Sequence, residues 1–267
     1  MGWDYIVFLV IGFVLSLIAS ILGALFYARA TLYRQRRPLN QILNFGNDEL
    51  LFVFPHREDT VAAILPRTST EDFLAINNVI SVLLQIGWNK RVGVRDTKRL
   101  RDSEKKRNLV SICSRKSNPF TGELQGIMRK KYPRFFRVEP LNQNEWYVTD
   151  GKGEWKSNSY SQLAEFLHRG GDRADIPEQH FDDVAVINKI TNPWNSSNKI
   201  LVIEGARGIG TWGAAECIKK GWEQIFRQLP DGKKDSDFSA LVFIRYYNCD
   251  ITQIIVDKCI VLEVDGK

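Results

Sequence analysis

Three stretches of the chain collect the residue types that handle anions. Gly205-Ala206-Arg207-Gly208-Ile209-Gly210-Thr211 puts three glycines and an arginine directly ahead of a helical pattern. Glycine lets backbone amides approach an anion and aims a helix N-terminus at it, Arg207 adds charge, and Thr211 is either the N-cap or a ligand contact. The same glycines would equally serve a tight strand-to-helix turn. Their order is not the GxGxxG dinucleotide fingerprint, and the Lys-Ser/Thr pair of a P-loop is missing, which disfavours a nucleoside triphosphatase. The second stretch, Ser114-Arg115-Lys116-Ser117-Asn118-Pro119-Phe120-Thr121, sets two cations among Ser, Asn and Thr at a helix start. It reads as a phosphate or ribose cradle contacted through Ser114, Arg115, Asn118 and Thr121, with simple capping by Asn118-Pro119 as the alternative.

The third stretch holds His56, Arg57, Glu58 and Asp59, then Arg67, Thr68, Ser69 and Thr70. A catalytic reading takes His56 as base, oriented by Glu58 or Asp59, with Cys113 or Ser114 as nucleophile; Glu204, ending a strand, is a further acid or a ribose contact. Nothing in the spacing requires catalysis, and a solvated His56 and a buried Cys113 are the alternatives. His168 and His180 are isolated, and Cys113, Cys217, Cys249 and Cys259 form no CxxC pair, so no metal centre and no cofactor are expected.

These loops need strands and helices to hold them. Leu50–Phe54 is an unbroken apolar run ended by Pro55, and a helix follows in which Thr68 and Glu71 form a capping box, Phe73, Ile76, Ile80, Leu83 and Leu84 share a face, and Gly87 is the stop. Asn108–Ser114 is a second strand, followed by a helix with Asn118 as N-cap, Pro119 at its first position and Phe120, Leu124, Ile127 and Met128 on one face. Lys199–Gly205 is a third, leading into a single long helix that carries Trp212, Ala215, Ile218, Trp222, Ile225, Phe226 and Leu229. Between the second and third units come three short strands, a helix near Ser161–His168 and a strand at Val184–Ile190; two further strands close the chain. Strand–helix alternation with apolar strands predicts an α/β fold, Rossmann-like, with a mostly parallel sheet, flanking helices and a β-meander insert. In such sheets ligands sit beyond the carboxyl ends of the strands, where all three loops converge.

Ahead of this body, Tyr5–Tyr27 runs 23 residues without a charge, and a helix of that length spans about 34 Å. The expectation is one transmembrane helix (residues 1–30), a basic juxtamembrane linker (31–48) and a cytoplasmic α/β ligand-binding domain (49–267). Arg29, Arg34, Arg36 and Arg37 follow the span and only Asp4 precedes it, which puts the N-terminus outside. Gly12, Ser16, Ser20 and Ala24 recur every fourth residue and would let helices pack closely in a homo-oligomer.

The 267 residues are 44% apolar and 25% charged, an ordinary globular composition that excludes a disordered chain, and the net charge is +6. Much of that charge lies in Lys90–Arg107, read as a solvated helix or loop that could also meet anionic headgroups. Aromatic interleaving is missing there, so specific recognition of duplex nucleic acid is not expected.

The Gly210-Thr211 loop opening a helix of small residues, together with the stretch LVSICSRKSNPFT, resembles the ligand-facing loops of CRISPR-associated Rossmann-fold (CARF-like) sensor domains. In that family the loops face a cyclic oligonucleotide at a dimer interface, and some members carry a membrane helix whose oligomer disturbs the bilayer. The resemblance implies a membrane-anchored sensor in prokaryotic defence or signalling, with Asn118, Thr121, Gly210 and Thr211 at the ligand. The expected function is thus sensing of a nucleotide-type or other phosphorylated ligand. The alternatives are a membrane-tethered enzyme on a nucleotide or sugar substrate and a scaffold that docks a protein through Trp146, Trp155 and Trp194.

Overall fold

The computed structural model describes residues 3–46, 48–56, 69–142, 145–157, 181–247 and 250–263, with backbone alone at residues 3–12, 14, 28, 31, 32 and 35. In chain order its elements are α1 (Trp3–Leu43), β1 (Leu50–Phe54), α2 (Thr70–Ile86), β2 (Val92–Asp96), β3 (Asn108–Ile112), α3 (Pro119–Lys131), β4 (Arg137–Pro140), β5 (Trp146–Thr149) and β6 (Glu154–Lys156). They continue with β7 (Phe181–Thr191), β8 (Lys199–Gly205), α4 (Gly208–Glu216), a π-helical turn (Cys217–Gly221), α5 (Trp222–Gln228), β9 (Phe238–Tyr247) and β10 (Asp250–Val261).

The central sheet has seven strands in the order β10-β9-β7-β8-β3-β1-β2, and β4-β5-β6 form a separate antiparallel meander. β2, β1, β3 and β8 pair in parallel, while β7 and β10 run against their neighbours. The mixed α/β, Rossmann-like architecture with a meander insert is therefore present. Alternate residues of the parallel strands feed two cores, as the two-residue period of a strand requires. Phe52, Val110, Leu201 and Ile203 face α2, α4 and α5, and Leu51, Val53, Leu109 and Val202 face α3.

Local chemistry sets several boundaries. α2 ends at Gly87, whose φ of 76° is left-handed and whose amide caps the carbonyls of Leu83 and Leu84. α3 begins where expected, Asn118 accepting from the amides of Phe120 and Thr121 with Pro119 next. The start of α2 differs from the expected capping box: Ser69, not Thr68, is the N-cap and accepts from the Asp72 amide. Of the expected inward face Ile76 and Leu83 are buried and Ile80 packs against the core, joined by Ala75, Val79, Val82 and Ile86, while Phe73 and Leu84 are exposed. Thr68 and the expected helix at Ser161–His168 lie outside the described residues.

Four further expectations change. The segment read as a linker is helical through Leu43, because Leu39, Ile42 and Leu43 are buried against α2 in the main core and carry α1 past Pro38. Lys90–Arg107 is largely exposed, as expected, but holds an edge strand, β2, and two 3-10 turns instead of a helix, and several of its cations are paired, as in Arg95–Glu104 at 3.1 Å and Arg107–Glu49 at 2.6 Å. The long helix after β8 is broken by the π-helical turn into α4 and α5. The tryptophans proposed as a docking surface are half-buried and in use: Trp155 meets Phe136 edge-on at 5.4 Å, Trp194 stacks on Phe120 at 5.8 Å, and Lys116 sits over Trp146 at 5.5 Å.

The expected transmembrane span falls on the first part of α1. Among the residues whose side chains are described, no helix is long and apolar enough to cross a membrane; Tyr5–Gly12 and Val14 are outside that set. α1 enters the body at the amino-terminal edge of the parallel strands, opposite to the edge where their loops converge.

Candidate functional site

At the carboxyl edge, β1 and β8 are followed by helices on one face of the sheet, and β3, which lies between them, is followed by α3 on the other. Where chains part to opposite faces, open α/β sheets place their ligand crevice at the strand ends. Three loop segments border it: Pro55-His56, Cys113–Asn118 and Gly205–Gly210.

The Cys113–Asn118 loop turns sharply because Cys113 takes a left-handed φ of 80°, a conformation costly for a residue with a Cβ. A network of hydrogen bonds holds the strain. The Cys113 amide donates to the Ile203 carbonyl at 2.9 Å, and its carbonyl accepts from the Thr121 hydroxyl at 2.9 Å. Asn118 Nδ2 donates to the carbonyls of Ile112 (2.7 Å) and Val53 (3.3 Å), tying the ends of β3 and β1 together. Ser111 Oγ accepts from Asn118 Nδ2 and lies 2.8 Å from Thr121 Oγ1. Asn118 and Thr121 are fully buried, so both candidate contacts build the turn instead of facing the crevice.

What this turn offers outward is backbone. The amides of Ser117 and Asn118 return to the Ser114 carbonyl at 3.0 and 2.9 Å, whereas those of Ser114, Arg115 and Lys116 have no acceptor among the described residues. Successive open amides beside a left-handed residue form a concavity suited to an anion. Arg115 is exposed but engaged with Glu139 Oε2 at 3.0 Å; Glu139 also pairs with Arg129 and Arg137.

The glycine loop after β8 is built differently from its sequence appearance. A Cβ on Gly205 would collide with the Thr211 amide and the Arg207 carbonyl, one on Gly208 would press on Glu71 at 3.2 Å, and one on Gly210 would come within 2.5 Å of Asp183 Oδ2. Each glycine has its own steric reason inside the fold. Thr211 is fully buried, its hydroxyl accepting from the Gly205 amide at 3.1 Å and donating to the Arg207 carbonyl. Asp183, the third residue of β7, is fully buried against the start of α4. Burial pushes its carboxyl up to about 6, against the pull of Arg207 and nearby amides. The seat that a helix N-terminus offers to an anion is thus filled by the protein's own carboxylate.

Glu204 lies on the α3 side of β8 and is fully buried. Gln125 Nε2 donates to its Oε2 at 2.7 Å, while Oε1 has no partner among the described residues. Burial, helped by the like charge of Glu139, pushes its carboxyl up to about 8. That makes Glu204 a neutral acid over most of the physiological range, poised to donate rather than accept a proton.

His56 lies at the end of β1, a quarter exposed, with Nδ1 3.4 Å from Asp96 Oδ1. The carboxylate beside it therefore comes from β2, through the register Phe54–Asp96; the expected partners Glu58 and Asp59 lie outside the described residues. Asp96 also accepts from the amides of Lys98 and Arg99 at 3.0 and 3.2 Å. Sequence reasoning missed it because VGVRD is a short strand inside a cationic tract. Cys113 follows the β1–β3 register on the neighbouring strand, so Asp96, His56 and Cys113 come from three adjacent strand ends. The Cys113 side chain is nonetheless buried in the main core.

Cys113, Cys217 and Cys259 are free, and burial pushes the thiols of the latter two up to about 12. Among the described residues no group of His, Cys, Asp or Glu could hold a metal ion. Set against protein-family models and curated protein sequences, the chain matches none of them.

Proposed function

We propose that the chain is a single-pass membrane protein whose cytoplasmic Rossmann-like domain senses a nucleotide-type or other phosphorylated ligand in the crevice around β3. The observation that carries this is the run of open amides at Ser114, Arg115 and Lys116, set at the point where α3 and its neighbours part. A phosphate seated there has Lys116 and Arg115 beside it, His56 and Asp96 on the β1 side and Arg207 on the β8 side. The glycine loop shapes the wall, because Asp183 already fills the α4 terminus.

Support for the anchor comes from α1. Phe13 and every residue from Leu15 to Tyr27 are exposed, with Phe13 at 71%, Leu22 at 60% and Phe26 at 78%. A helix apolar on all sides and exposed from Leu15 through Phe26 belongs in lipid. The Ser20 hydroxyl donates to the Ser16 carbonyl at 2.9 Å, the self-satisfaction that a polar side chain needs in hydrocarbon. Gly12, Ser16, Ser20 and Ala24 lie along one line of this helix and supply the homo-oligomeric contact of the same reading.

The test is calorimetric titration of the full chain in detergent micelles with mononucleotides, cyclic di- and oligonucleotides, dinucleotides and sugar nucleotides. One class binds, and Lys116→Glu weakens it at least tenfold. Absence of binding by every class, or an affinity indifferent to Lys116→Glu, overturns the proposal. The His56–Asp96 pair beside the strained Cys113 favours a second reading, a membrane-tethered enzyme on a nucleotide or sugar substrate; turnover abolished by His56→Ala would establish it over the sensor.

A further inference from the structure

Where α1 leaves the expected membrane boundary, the structure holds a cavity of about 660 Å³ between its lower turns and the loop joining α5 to β9. From α1 it is lined by Tyr33, Arg36, Arg37 and Asn40, and from the loop by Lys234 and Asp235. The volume is that of an ordinary small-ligand site. It lies at the opposite edge of the sheet from the β3 crevice.

The charges in this cavity are unbalanced. Lys234 is fixed in place, its Nζ donating to the carbonyls of Phe226 and Leu229 at the end of α5 and pairing with Asp231 at 3.5 Å. Arg36 and Arg37 have no hydrogen bond or ion pair among the described residues, whereas Arg95, Arg107, Arg115, Arg129 and Arg137 in the body are all paired. The Arg36 guanidinium lies against the backbone of Gly87, where the carbonyl end of α2 favours a cation. Lys234 is already paired with Asp231 and Asp235 is the one carboxylate among the lining residues, so the two arginines face one anion. Two guanidinium groups lining one cavity, each with a fork of donors, suit the oxygens of a phosphate.

Position then selects the source of that phosphate. Tyr33 is six residues beyond Tyr27, about 9 Å along the helix axis, and Arg36 is about 14 Å beyond it. The headgroup layer extends about 5–8 Å past the hydrocarbon edge, so the cavity opens just beneath it, within the reach of a long Arg37 side chain extended toward the bilayer. We propose that this cavity binds a phosphate group, delivered by the headgroup of an anionic phospholipid, and that Arg36 and Arg37 hold it. The proposal rests on the membrane reading of α1. It makes the body's attachment to the bilayer two-sided: a helix in the hydrocarbon and a headgroup clamp beneath it.

The experiment takes the full chain in detergent micelles and measures binding of short-chain phosphatidic acid, short-chain phosphatidylcholine and inorganic phosphate. Phosphatidic acid binds, phosphatidylcholine binds at least tenfold more weakly, and the Arg36→Gln/Arg37→Gln double variant loses at least tenfold in affinity for phosphatidic acid. Arg29→Gln, outside the cavity, stays within twofold. Inorganic phosphate binding as tightly as the lipid overturns the lipid source, and an affinity unchanged in the double variant overturns the site. Co-flotation with neutral phosphatidylcholine vesicles tests the anchor by itself: wild type and double variant both float. A wild type that stays behind overturns the membrane reading, and the proposal with it, whatever the phosphate arms give.

Discussion

Replacing Glu204 with Gln should make the protein more stable at alkaline pH and leave it nearly unchanged at pH 5. Glu204 is fully buried, one of its oxygens is unpartnered, and its carboxyl is pushed up to about 8 from an ordinary value of 4.5. The folded state therefore keeps a proton that the unfolded chain releases, and this group's contribution is fully present below pH 4.5 and lost as pH rises through 8. A displacement of that size corresponds to about 5 kcal/mol when integrated across the window. Gln preserves the shape of the neutral acid, still accepts from Gln125 Nε2, and never ionises. At about 2–4 °C per kcal/mol for a domain of this size, the gain at pH 9 is at most on the order of 10–20 °C. The assay is thermal unfolding of the full chain and its Glu204→Gln variant, in the same micelles, at pH 5 and pH 9. Other titrating groups cancel in the variant-minus-wild-type difference. A difference equal at the two pH values, or a variant less stable at pH 9, would refute the reasoning.

Two further outcomes follow from groups on β7. Burial and the nearby charge of Lys199 pull the Lys189 ammonium down to about 7, with its Nζ donating to the Asp235 carbonyl at 2.9 Å. Between pH 7 and 10.5 the unfolded state holds more protons, so this lysine's burden on stability is greatest at low pH and fades as pH rises. Lys189→Met accordingly raises the melting temperature at pH 6 and loses that advantage by pH 10; equal shifts at both would count against it. Gly210→Ala sets a methyl group 2.5 Å from Asp183 Oδ2 and destabilises by about 1–3 kcal/mol. In a double-mutant cycle read by chemical denaturation, Asp183→Ala recovers most of that loss, and strictly additive effects would show that the two residues do not meet.

The elements most legible in the sequence are those with local causes. Gly87 ends α2 because only a left-handed residue closes that turn, and Asn118-Pro119 starts α3 through a short-range cap. β2 was hidden because VGVRD is short and set inside a cationic tract: the strand exists by pairing with β1 at the sheet edge, a tertiary cause. The tail of α1 was hidden for a similar reason, since Arg34–Asn40 reads as polar linker until Leu39, Ile42 and Leu43 are seen to be buried.

The site divides along the same line. The convergence of three loops on one sheet edge follows from strand–helix alternation. Which polar groups in those loops face outward does not, because Asn, Thr and Gly serve a turn and a ligand with the same chemistry. Asn118, Thr121 and Thr211 spend their hydrogen bonds on the chain itself. Gly210 makes room for Asp183, which comes from a neighbouring segment of the sheet, not from the loop. The open amides owe their position to the left-handed φ of Cys113, a conformation that a cysteine does not advertise in sequence. A glycine-rich loop ahead of a helix is therefore an anion site only when no internal carboxylate reaches the helix first. Here Asp183 does reach it, which is why the proposed phosphate seat is one strand over, at the turn that Asn118 and Thr121 hold.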